Sequence, residues 1–212
     1  MIIAVDGPAA SGKGTIAKAL ARHYGLPHLD TGLLYRAVGE NVRRLDLNPE
    51  IEADAVAACD FDDSLLEDPA LRGDEVGKLA SIVSAHPLVR AALLHRQKRF
   101  ARQPGGAVLD GRDIGTVIAP DADAKLFVKA TPQIRARRRH AELKAQGSML
   151  SFDKVLADIR VRDQRDMGRD AAPLVMAADA GILDTSFLSI EAAVKRAIEL
   201  VERQLRLKAS HG

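Results

Sequence analysis

A chain of 212 residues is long enough to bury the core of one α/β domain. Tryptophan is absent and aromatic residues make up only 3% of the sequence, so a core must be built from Ala, Val, Leu and Ile, while the single cysteine, Cys59, excludes an internal disulfide. The net charge of +2 and the lack of a long apolar run argue against a nucleic-acid or membrane partner, and we expect a cytoplasmic monomer.

Short apolar runs alternate with segments of helical periodicity along the chain. The apolar runs predict strands at residues 2–5, 27–29, 107–109, 124–128 and 181–183. The periodic segments predict helices at residues 13–24, 32–45, 75–84, 87–103, 132–146, 151–169 and 190–207. Strands that alternate with helices and are apolar throughout predict an α/β fold, a five-stranded parallel sheet flanked by helices. Pro49 and Pro69 interrupt residues 46–73, which we interpret as an irregular helical insert.

The first predicted strand runs into a glycine-rich turn. Gly7 and Gly12 enclose four residues, and Lys13 follows at the start of a predicted helix. Such a turn leaves backbone N–H groups free, and a helix N-terminus adds its positive dipole end. The pattern predicts a nest for a polyphosphate whose outer groups Lys13 reaches, against the alternative of an ordinary glycine-rich turn. Gly14 stands where a Ser or Thr hydroxyl usually contacts Mg²⁺, and Thr15 follows one place later.

Polar residues follow two more of the predicted strands. Asp30 and Thr31 come after the second strand, and the segment Asp-Gly-Arg-Asp-Ile-Gly at 110–115 follows the third. Because ligands of open parallel sheets bind beyond the carboxyl ends of the strands, these clusters are predicted to meet the nest at one edge. Asp110 suits a carboxylate that holds Mg²⁺ through water. Taken singly, each of these residues is explained equally well as a turn or capping residue.

A basic block lies in the C-terminal half of the chain. Residues 131–170 hold ten Lys or Arg and six Asp or Glu. Arg162, Asp166 and Arg169 share one helical stripe, which by itself favours a surface ion-pair ladder but also suits a segment that closes over an anion. We expect at least one arginine of the preceding helix to face the phosphates and more than half of them to face solvent. These arginines are Arg135, Arg137, Arg138 and Arg139.

Longer motifs dispersed over the whole chain resemble those of the bacterial cytidylate kinases. They are the nest at 7–15, Leu-Asp-Thr-Gly-x-x-Tyr-Arg at 29–36, Ala-Ser at 80–81, Val-Arg-x-Ala-Leu-Leu-x-Arg-Gln at 89–97, Asp-Gly-Arg-Asp-x-Gly-Thr-Val at 110–117, Arg-Asp-x-Arg-Asp-x-x-Arg at 162–169 and Ala-Pro-Leu at 172–174. Together they are far more specific than the nest alone.

The resemblance implies a P-loop kinase that transfers the γ-phosphoryl group of ATP to CMP or dCMP, with Mg²⁺ as cofactor. It implies one kinase domain over residues 1–212. The parts of that domain would be a core of residues 1–30, 86–130 and 171–212, an NMP-binding region at about 31–85 and a lid at about 143–170. The ATP-binding residues would be Gly7, Pro8, Ala9, Ala10, Ser11, Gly12, Lys13, Gly14 and Thr15.

The resemblance also implies which residues hold the acceptor nucleotide. The CMP-binding residues would be Thr31, Arg36, Ser81, Arg90, Arg112, Asp113, Arg162, Asp166 and Arg169, and the catalytic residues Lys13, Arg112, Arg162 and Arg169. By task, the acceptor phosphate would be held by Arg36, Arg112 and Arg169, the cytosine by Ser81, Arg90 and Asp113, and the ribose by Arg162 and Asp166. An aspartate is a natural acceptor for the exocyclic amine of cytosine, whereas uracil has a carbonyl there.

Two other functions remain open on the sequence. The first is a P-loop kinase of another small acceptor, either UMP or a shikimate-like hydroxyl compound. The hydroxyl-directed reaction would need a base, for which Asp30 could serve, although the excess of arginines argues against that acceptor. A nucleotide-binding regulator would hold ATP without turnover, although it would need no second, arginine-rich half-site. Residues 46–75 hold eleven Asp or Glu and one Arg, and are shorter and more acidic than the β-containing insert usual in the family. The choice among CMP, dCMP and UMP therefore stays open.

Overall fold

The computed structural model describes residues 1–210 and has a parallel five-stranded sheet at its centre. The strands are β1 (Ile2–Asp6), β2 (His28–Asp30), β3 (Ala107–Gly111), β4 (Ala124–Lys129) and β5 (Gly181–Asp184), in the order β2-β3-β1-β4-β5. In register, Ile3 lies opposite Val108 of β3 and Ala124 of β4. The chain crosses from one side of β1 to the other between β3 and β4, so the loop after β1 stands at the middle of the sheet edge, where α/β proteins bind ligands.

Helices and short helical turns connect the strands. The helices are α1 (Lys13–Tyr24), α2 (Thr31–Arg44), α3 (Glu52–Ala57), α4 (Asp74–Val83), α5 (Pro87–Ala101), α6 (Pro132–Ala145), α7 (Phe152–Gly168) and α8 (Ile190–Ala209), with 3₁₀ turns at Asp63–Glu67 and Pro69–Arg72 and a π turn at Ile114–Ile118. Side-chain oxygens of Asp30, Thr131, Ser151 and Ser189 accept backbone N–H groups in the first turns of α2, α6, α7 and α8. These caps satisfy donors that a helix start leaves free.

Both faces of the sheet are covered because successive strand side chains point in opposite directions. Ile3 and Val5 pack against α1 and α8, whereas Ala4 and Leu109 pack against α5 and the π turn. Burial on both faces explains why the strands are apolar throughout.

Two further apolar clusters hold together the helices on either side of the sheet edge. Helices α6 and α7 pack on each other through Ala136, Leu143, Val155 and Ile159. On the other side α2, α4 and α5 share a cluster of their own, whose buried members include Leu34, Val38, Ala80, Val83 and Val89. The sheet edge is therefore flanked by two helical layers, each with its own core.

The predicted sheet and helices are confirmed, with ends displaced by at most two residues. The insert at 46–73 consists of α3 and the two 3₁₀ turns, as predicted. The prediction is wrong for Arg169, because α7 ends at Gly168 and Arg169 has an extended backbone with φ −73° and ψ 143°. Residues 211 and 212, the end of the predicted core segment 171–212, lie outside the described range. Within residues 1–210 the structure has no helix that is both long and apolar enough to span a membrane.

Candidate active site

A cavity of about 980 Å³ opens at the carboxyl ends of the strands, between the two helical layers. Its volume lies at the upper end of the range of about 300–1,000 Å³ that is common for ligand pockets, which leaves room for more than one small ligand. All three polar clusters predicted at strand ends line it: the loop after β1, the β2–α2 junction and the segment after β3. The predicted convergence of these clusters on one edge is therefore confirmed.

The loop between β1 and α1 forms one end of the cavity. Gly12 takes the left-handed conformation with φ 92° and precedes α1, so the N–H groups of Lys13, Gly14 and Thr15 begin the helix without intrahelical acceptors. Only glycine fits at position 7, because a Cβ there would lie 2.1 Å from the carbonyl oxygen of Val128. Of the predicted loop residues, those lining the cavity are Ala9, Ala10, Gly12, Lys13, Gly14 and Thr15, while Gly7, Pro8 and Ser11 are buried beneath it.

Side chains from α6 and β5 bind the carbonyl groups of this loop from outside. Arg135 Nη1 donates to the carbonyl of Ala9 at 3.2 Å, and Arg138 Nη1 donates to that of Ser11 at 3.2 Å. The hydroxyl of Thr185, just after β5, also donates to the Ser11 carbonyl at 2.8 Å. With the carbonyl oxygens held outward, the loop presents its N–H side to the cavity.

The ammonium group of Lys13 stands among charges of both signs. Burial and the nearby Arg112 lower the pKa of Lys13 to about 8, while Asp110 and Asp30 oppose the shift. An anion that binds beside a lysine with a lowered pKa stabilises the charged form of that lysine, which favours binding of the anion. Lys13 is therefore poised to bind phosphate.

Two carboxylates end β2 and β3 beside the loop. Asp30 accepts the N–H of Gly32 at 2.9 Å, and Asp110 Oδ1 lies 2.7 Å from Nε2 of His28. Burial and the charge of Asp110 raise the pKa of Asp30. Thr31 is placed by its hydroxyl, which donates to the Asp110 carbonyl at 2.9 Å.

A buried ion pair lies at the opposite end of the cavity. Arg90 Nη2 donates to Asp113 Oδ2 at 2.5 Å, and Nη1 donates to the carbonyl of Ser84 at 3.2 Å. Both side chains are less than a tenth exposed, and the guanidinium of Arg90 lies 5.3 Å from the ring centre of Tyr35. Both residues line the cavity, so the pair presents guanidinium N–H donors and carboxylate acceptors beside each other to a flat polar ligand.

Ser81 joins this end of the cavity from α4. The residue is 3% exposed, and its hydroxyl accepts a hydrogen bond from Arg165 Nη1 of α7 at 2.8 Å. Two weaker contacts join the same layers, Arg139 with Asp74 at 3.3 Å and Lys78 with Asp158 at 3.8 Å. The helical wall of α6 and α7 thus closes over α4.

Between the two ends lies a group of arginines that the protein only partly neutralises. Arg112 Nε donates to Asp166 Oδ2 at 2.8 Å. Burial opposes the charge of Arg112, yet Asp166 holds the pKa of that arginine above its usual value. Burial likewise opposes ionisation of Asp166, but Arg112 and Arg162 hold its pKa below the usual range. Burial and the positive charge of Arg112 lower the pKa of Arg162 to about 10.

Several donors of this arginine group have no acceptor. Among residues 1–210, the buried atoms Arg162 Nε and Arg169 Nη2 lack a hydrogen-bond partner, although Arg169 Nε donates to the Ala172 carbonyl at 2.8 Å. Arg36 Nη1 donates to the carbonyls of Leu71 and Gly73 at 2.5 and 3.0 Å. Buried cationic donors without acceptors are costly unless an anion completes them. The centre of the cavity is therefore an anion site.

Comparison with known proteins agrees with this geometry. The family model described as "Cytidylate kinase" matches residues 3–203. The chain belongs to the cytidylate kinase family. It is 59% identical over 202 residues to a cytidylate kinase of Xanthobacter autotrophicus (strain ATCC BAA-1158 / Py2), covering 95% of this chain and 97% of that protein. A cytidylate kinase of Bradyrhizobium sp. (strain ORS 278) is 57% identical over 204 residues, covering 95% and 96%.

A solved structure supports the fold alone. The crystal structure of an uncharacterized protein from Eubacterium ventriosum ATCC 27560 matches with a TM-score of 0.57 at 17% identity, covering 96% of this chain and 98% of that one. The resemblance to the cytidylate kinases predicted from the motifs is thus confirmed by the family match, and with it the expectation of an ATP-dependent kinase.

Kinases of this family use ATP together with a divalent cation, and the carboxylates beside the loop fit one. No cluster of three or more His, Cys, Asp or Glu in the described part of the chain is arranged to hold a metal ion. Asp30 and Asp110 nevertheless stand close enough for the charge of Asp110 to raise the pKa of Asp30, a repulsion that a cation relieves. This donor set suits a hard cation that takes most of its ligands from phosphate and water.

Some residues of this cytidylate kinase site were missed or misjudged in the sequence. We expected more than half of Arg135, Arg137, Arg138 and Arg139 to face solvent, but only Arg137 is exposed. The other three are held by partners distant in sequence, such as Asp163 for Arg135. Arg165 lies within the motif at 162–169 but was given no role, and Thr185 gave no signal beyond its place after an apolar strand.

The pKa of Lys13 leads to a prediction for the pH dependence of ATP use. Because phosphate favours the charged ammonium, the free enzyme should lose affinity for ATP as Lys13 loses its proton above about pH 8. Because kcat/KM for ATP reports on ionisation of the free enzyme, it should be measured from pH 7 to about 9.5. We expect it to fall above about pH 8. The guanidinium of Lys13→Arg stays charged over this range, so kcat/KM of that variant should not change with pH. A wild-type kcat/KM that does not change with pH would contradict the assignment of Lys13 to the ATP phosphates.

Proposed function

We infer that the protein transfers the γ-phosphoryl group of ATP to CMP or dCMP, giving ADP and CDP or dCDP, and we propose a role for each residue of the cavity. One observation carries this most strongly. Buried guanidinium donors of Arg162 and Arg169 that lack acceptors lie in the same cavity as the Lys13 loop. Two anion-binding groups in one cavity suit a reaction between two nucleotides.

The donor nucleotide is assigned to the loop end. The N–H groups of the first turn of α1 and the ammonium of Lys13 bind the β- and γ-phosphates, as helix N-termini and P-loop lysines do. The residues proposed to hold ATP remain those of the loop as a whole, from Gly7 to Thr15.

The acceptor nucleotide is assigned to the other end. Its phosphate would lie among Arg36, Arg112 and Arg169, whose planar forks can each grip two oxygens. We assign the ribose to Arg162 and Asp166. The cytosine would meet the Arg90–Asp113 pair, with Oδ1 of Asp113 accepting the exocyclic amine, Arg90 donating to the ring carbonyl and nitrogen, and Ser81 adding a hydroxyl. These three residues all line the cavity.

The chemistry needs no general base. The acceptor phosphate has a second pKa of about 6 and is already largely ionised at neutral pH. The protein must align two mutually repelling anions and stabilise the charge that spreads over the transferring group, which Lys13 and the arginines do. Asp110, through water and with Asp30 nearby, would hold a Mg²⁺ ion, which would supply positive charge to the donor phosphates.

Water must be excluded, because it would otherwise accept the phosphoryl group. We assign the lid to residues at about 143–170, which include most of α7 and the turn before it, and the NMP-binding region to about 31–85. The independent α6–α7 cluster supports this division, since a segment with its own core can move as a unit. We further propose that the enzyme is a monomer and acts in the cytoplasm.

An acceptor screen tests this function. ADP formation from ATP is measured with CMP, dCMP, UMP, AMP and shikimate as acceptors, and separately with no acceptor. We expect the highest kcat/KM with CMP or dCMP. Phosphorylation of shikimate but of no nucleotide would favour the hydroxyl-directed kinase with Asp30 as base. ATP binding without turnover in the presence of CMP would favour a regulator, and membership of the cytidylate kinase family favours neither alternative.

Replacing Asp113 tests how the base is read. The Asp113→Asn substitution keeps the size of the side chain but offers an amide, which can donate to the uracil carbonyl as readily as it accepts from cytosine. We expect the ratio of kcat/KM for CMP to that for UMP to fall by about tenfold to a hundredfold, the discrimination of one buried polar contact. Asp121→Asn, at an exposed aspartate of the opposite sheet edge, should leave the ratio unchanged. An unaltered ratio in Asp113→Asn would exclude the cytosine-reading role.

A further inference from the structure

Asp6 is a buried carboxylate to which none of the roles above refers. It is the last residue of β1, directly before the ATP-binding loop, and is 5% exposed. Its two oxygens accept two backbone N–H groups more than a hundred residues away: Oδ1 from Ile114 and Oδ2 from Gly115, each at 2.8 Å. Both oxygens of Asp6 therefore accept N–H groups of the two residues that follow Asp113.

Those two N–H groups belong to the first two residues of the π turn Ile114–Ile118, and Asp113 stands in the capping position before it. An aspartate in that position normally accepts an N–H of its own turn, as Asp30 does from Gly32 at the start of α2. Asp113 makes no such bond. Its carboxylate instead pairs with Arg90 and lines the cavity, because Asp6 has taken over the donors that would compete for it.

We propose that Asp6 is a positioning residue that caps the turn after Asp113 from the neighbouring strand and so frees the carboxylate of Asp113 to read cytosine. This inference rests on the proposed cytosine-reading role of Asp113. The same site joins the two halves of the cavity, since the N–H of Gly7, the next residue, donates to the carbonyl of Gly111 at 3.3 Å. Asp6 thereby ties the loop that binds the donor nucleotide to the segment that selects the acceptor.

The charges around Asp6 make this arrangement sensitive to pH. Burial raises the pKa of Asp6 to about 6, the two N–H groups oppose the rise, and Asp113 adds to it while Lys13 opposes it. On the β4 side, Lys125 packs its stem against Gly115 and pairs with Asp179 at 2.8 Å. When Asp6 gains a proton, one oxygen becomes a donor and can no longer accept its N–H, so the cap is weakened as the pH falls through about 6.

The Asp6→Asn substitution tests the proposal through substrate choice. The asparagine keeps the shape but has one acceptor oxygen for two N–H donors, so Asp113 is expected to turn towards its own backbone. At pH 7.5 the ratio of kcat/KM for CMP to that for UMP should fall at least about tenfold, mainly through a higher KM for CMP. A loss of stability alone would lower the rates with CMP and UMP alike and leave their ratio unchanged, which would overturn the proposal.

A matched control lies at the other end of the same strand. Asp123 Oδ2 accepts the N–H of Ile2, the first residue of β1, at 2.8 Å. Asp123→Asn therefore replaces a more exposed carboxylate that also holds β1 through a backbone N–H, at the end remote from the cavity. Its ratio for CMP over UMP should equal that of the wild type, and a fall equal to that of Asp6→Asn would overturn the positioning role.

The wild-type enzyme supplies a test that needs no variant to fold. CMP and UMP carry the same 5′-phosphate, so the titration of that phosphate cancels in the ratio of their kcat/KM values. We expect this ratio to fall with an apparent pKa near 6 between pH 7.5 and about 5.5, and to stay level in Asp6→Asn. A level ratio in the wild type would overturn the proposal, whereas absence of any activity with CMP would instead overturn the proposed function.

Discussion

Replacing Lys13 with methionine should lower kcat by about a thousandfold while the enzyme still binds CMP. Methionine fills nearly the same volume but removes the only lysine ammonium of the loop that reaches the donor phosphates. The loss should fall mainly on kcat, because the charge that Lys13 stabilises grows as the γ-phosphoryl group leaves. The measurement is steady-state ADP formation with ATP and CMP, each varied at saturation of the other.

The control for Lys13→Met lies on the same helix. Arg22 is an exposed cation in the last turn of α1, so Arg22→Met removes one positive charge at a distance from the cavity. Its kcat should remain within about twofold of the wild type, as for most surface substitutions. If Lys13→Met retained a tenth or more of the wild-type kcat, the loop would not be the site of phosphoryl transfer.

The second large effect is expected for Arg162→Met, which should lower the rate of phosphoryl transfer without lowering the stability of the fold. The rate should fall about a hundredfold or more, because a guanidinium that stabilises the transferring charge is lost. The folded protein should be as stable as the wild type or more stable. Nε of Arg162 has no partner in the described residues, and burial beside Arg112 lowers the pKa of the guanidinium to about 10. Asp166 compensates this charge only in part, so removing it relieves a desolvation cost.

Arg160, an exposed residue of α7, supplies the comparison for this variant. Arg160→Met should change neither kcat nor the midpoint of thermal unfolding. Both quantities are measured for the two variants at the same pH and ionic strength, since arginine clusters respond to salt. A large drop in the unfolding midpoint of Arg162→Met would mean that Arg162 supports the fold rather than the reaction.

The fold was predictable because its signals are local. Apolar runs such as residues 2–5 mark strands buried on both faces, and periodic segments between them mark helices, so the parallel sheet followed from their alternation. The rule that ligands bind beyond the carboxyl ends of strands then predicts that Asp30, Asp110 and the loop lie together.

The parts of the site that sequence did not predict depend on contacts between distant segments. Arg135 and Arg138 carry the signature of surface helix positions, yet they bind loop carbonyls more than a hundred residues earlier in the chain. The capping of the turn at Ile114 by Asp6 spans a similar separation. No periodicity or short motif encodes such pairings, because they follow from how helices and strands pack in three dimensions.

Arg169 illustrates a smaller failure of the same kind. The spacing from Arg162 predicts a common helical stripe, but α7 ends one residue earlier. Arg169 still lines the cavity, because Nε donates to the carbonyl of Ala172 and so fixes the guanidinium beside the end of the helix. Its convergence with Arg112 and Arg162 therefore has a different local cause from the one predicted.

A crystal structure of the enzyme soaked with CMP tests the central claim most directly, namely that the arginine-lined end of this cavity holds the acceptor nucleotide. The account predicts the pyrimidine within hydrogen-bond distance of Ser81, Arg90 and Asp113, and the phosphate among Arg112, Arg169 and Arg36. A pyrimidine bound away from the Arg90–Asp113 pair, or a CMP phosphate bound in the Lys13 loop instead, would contradict it.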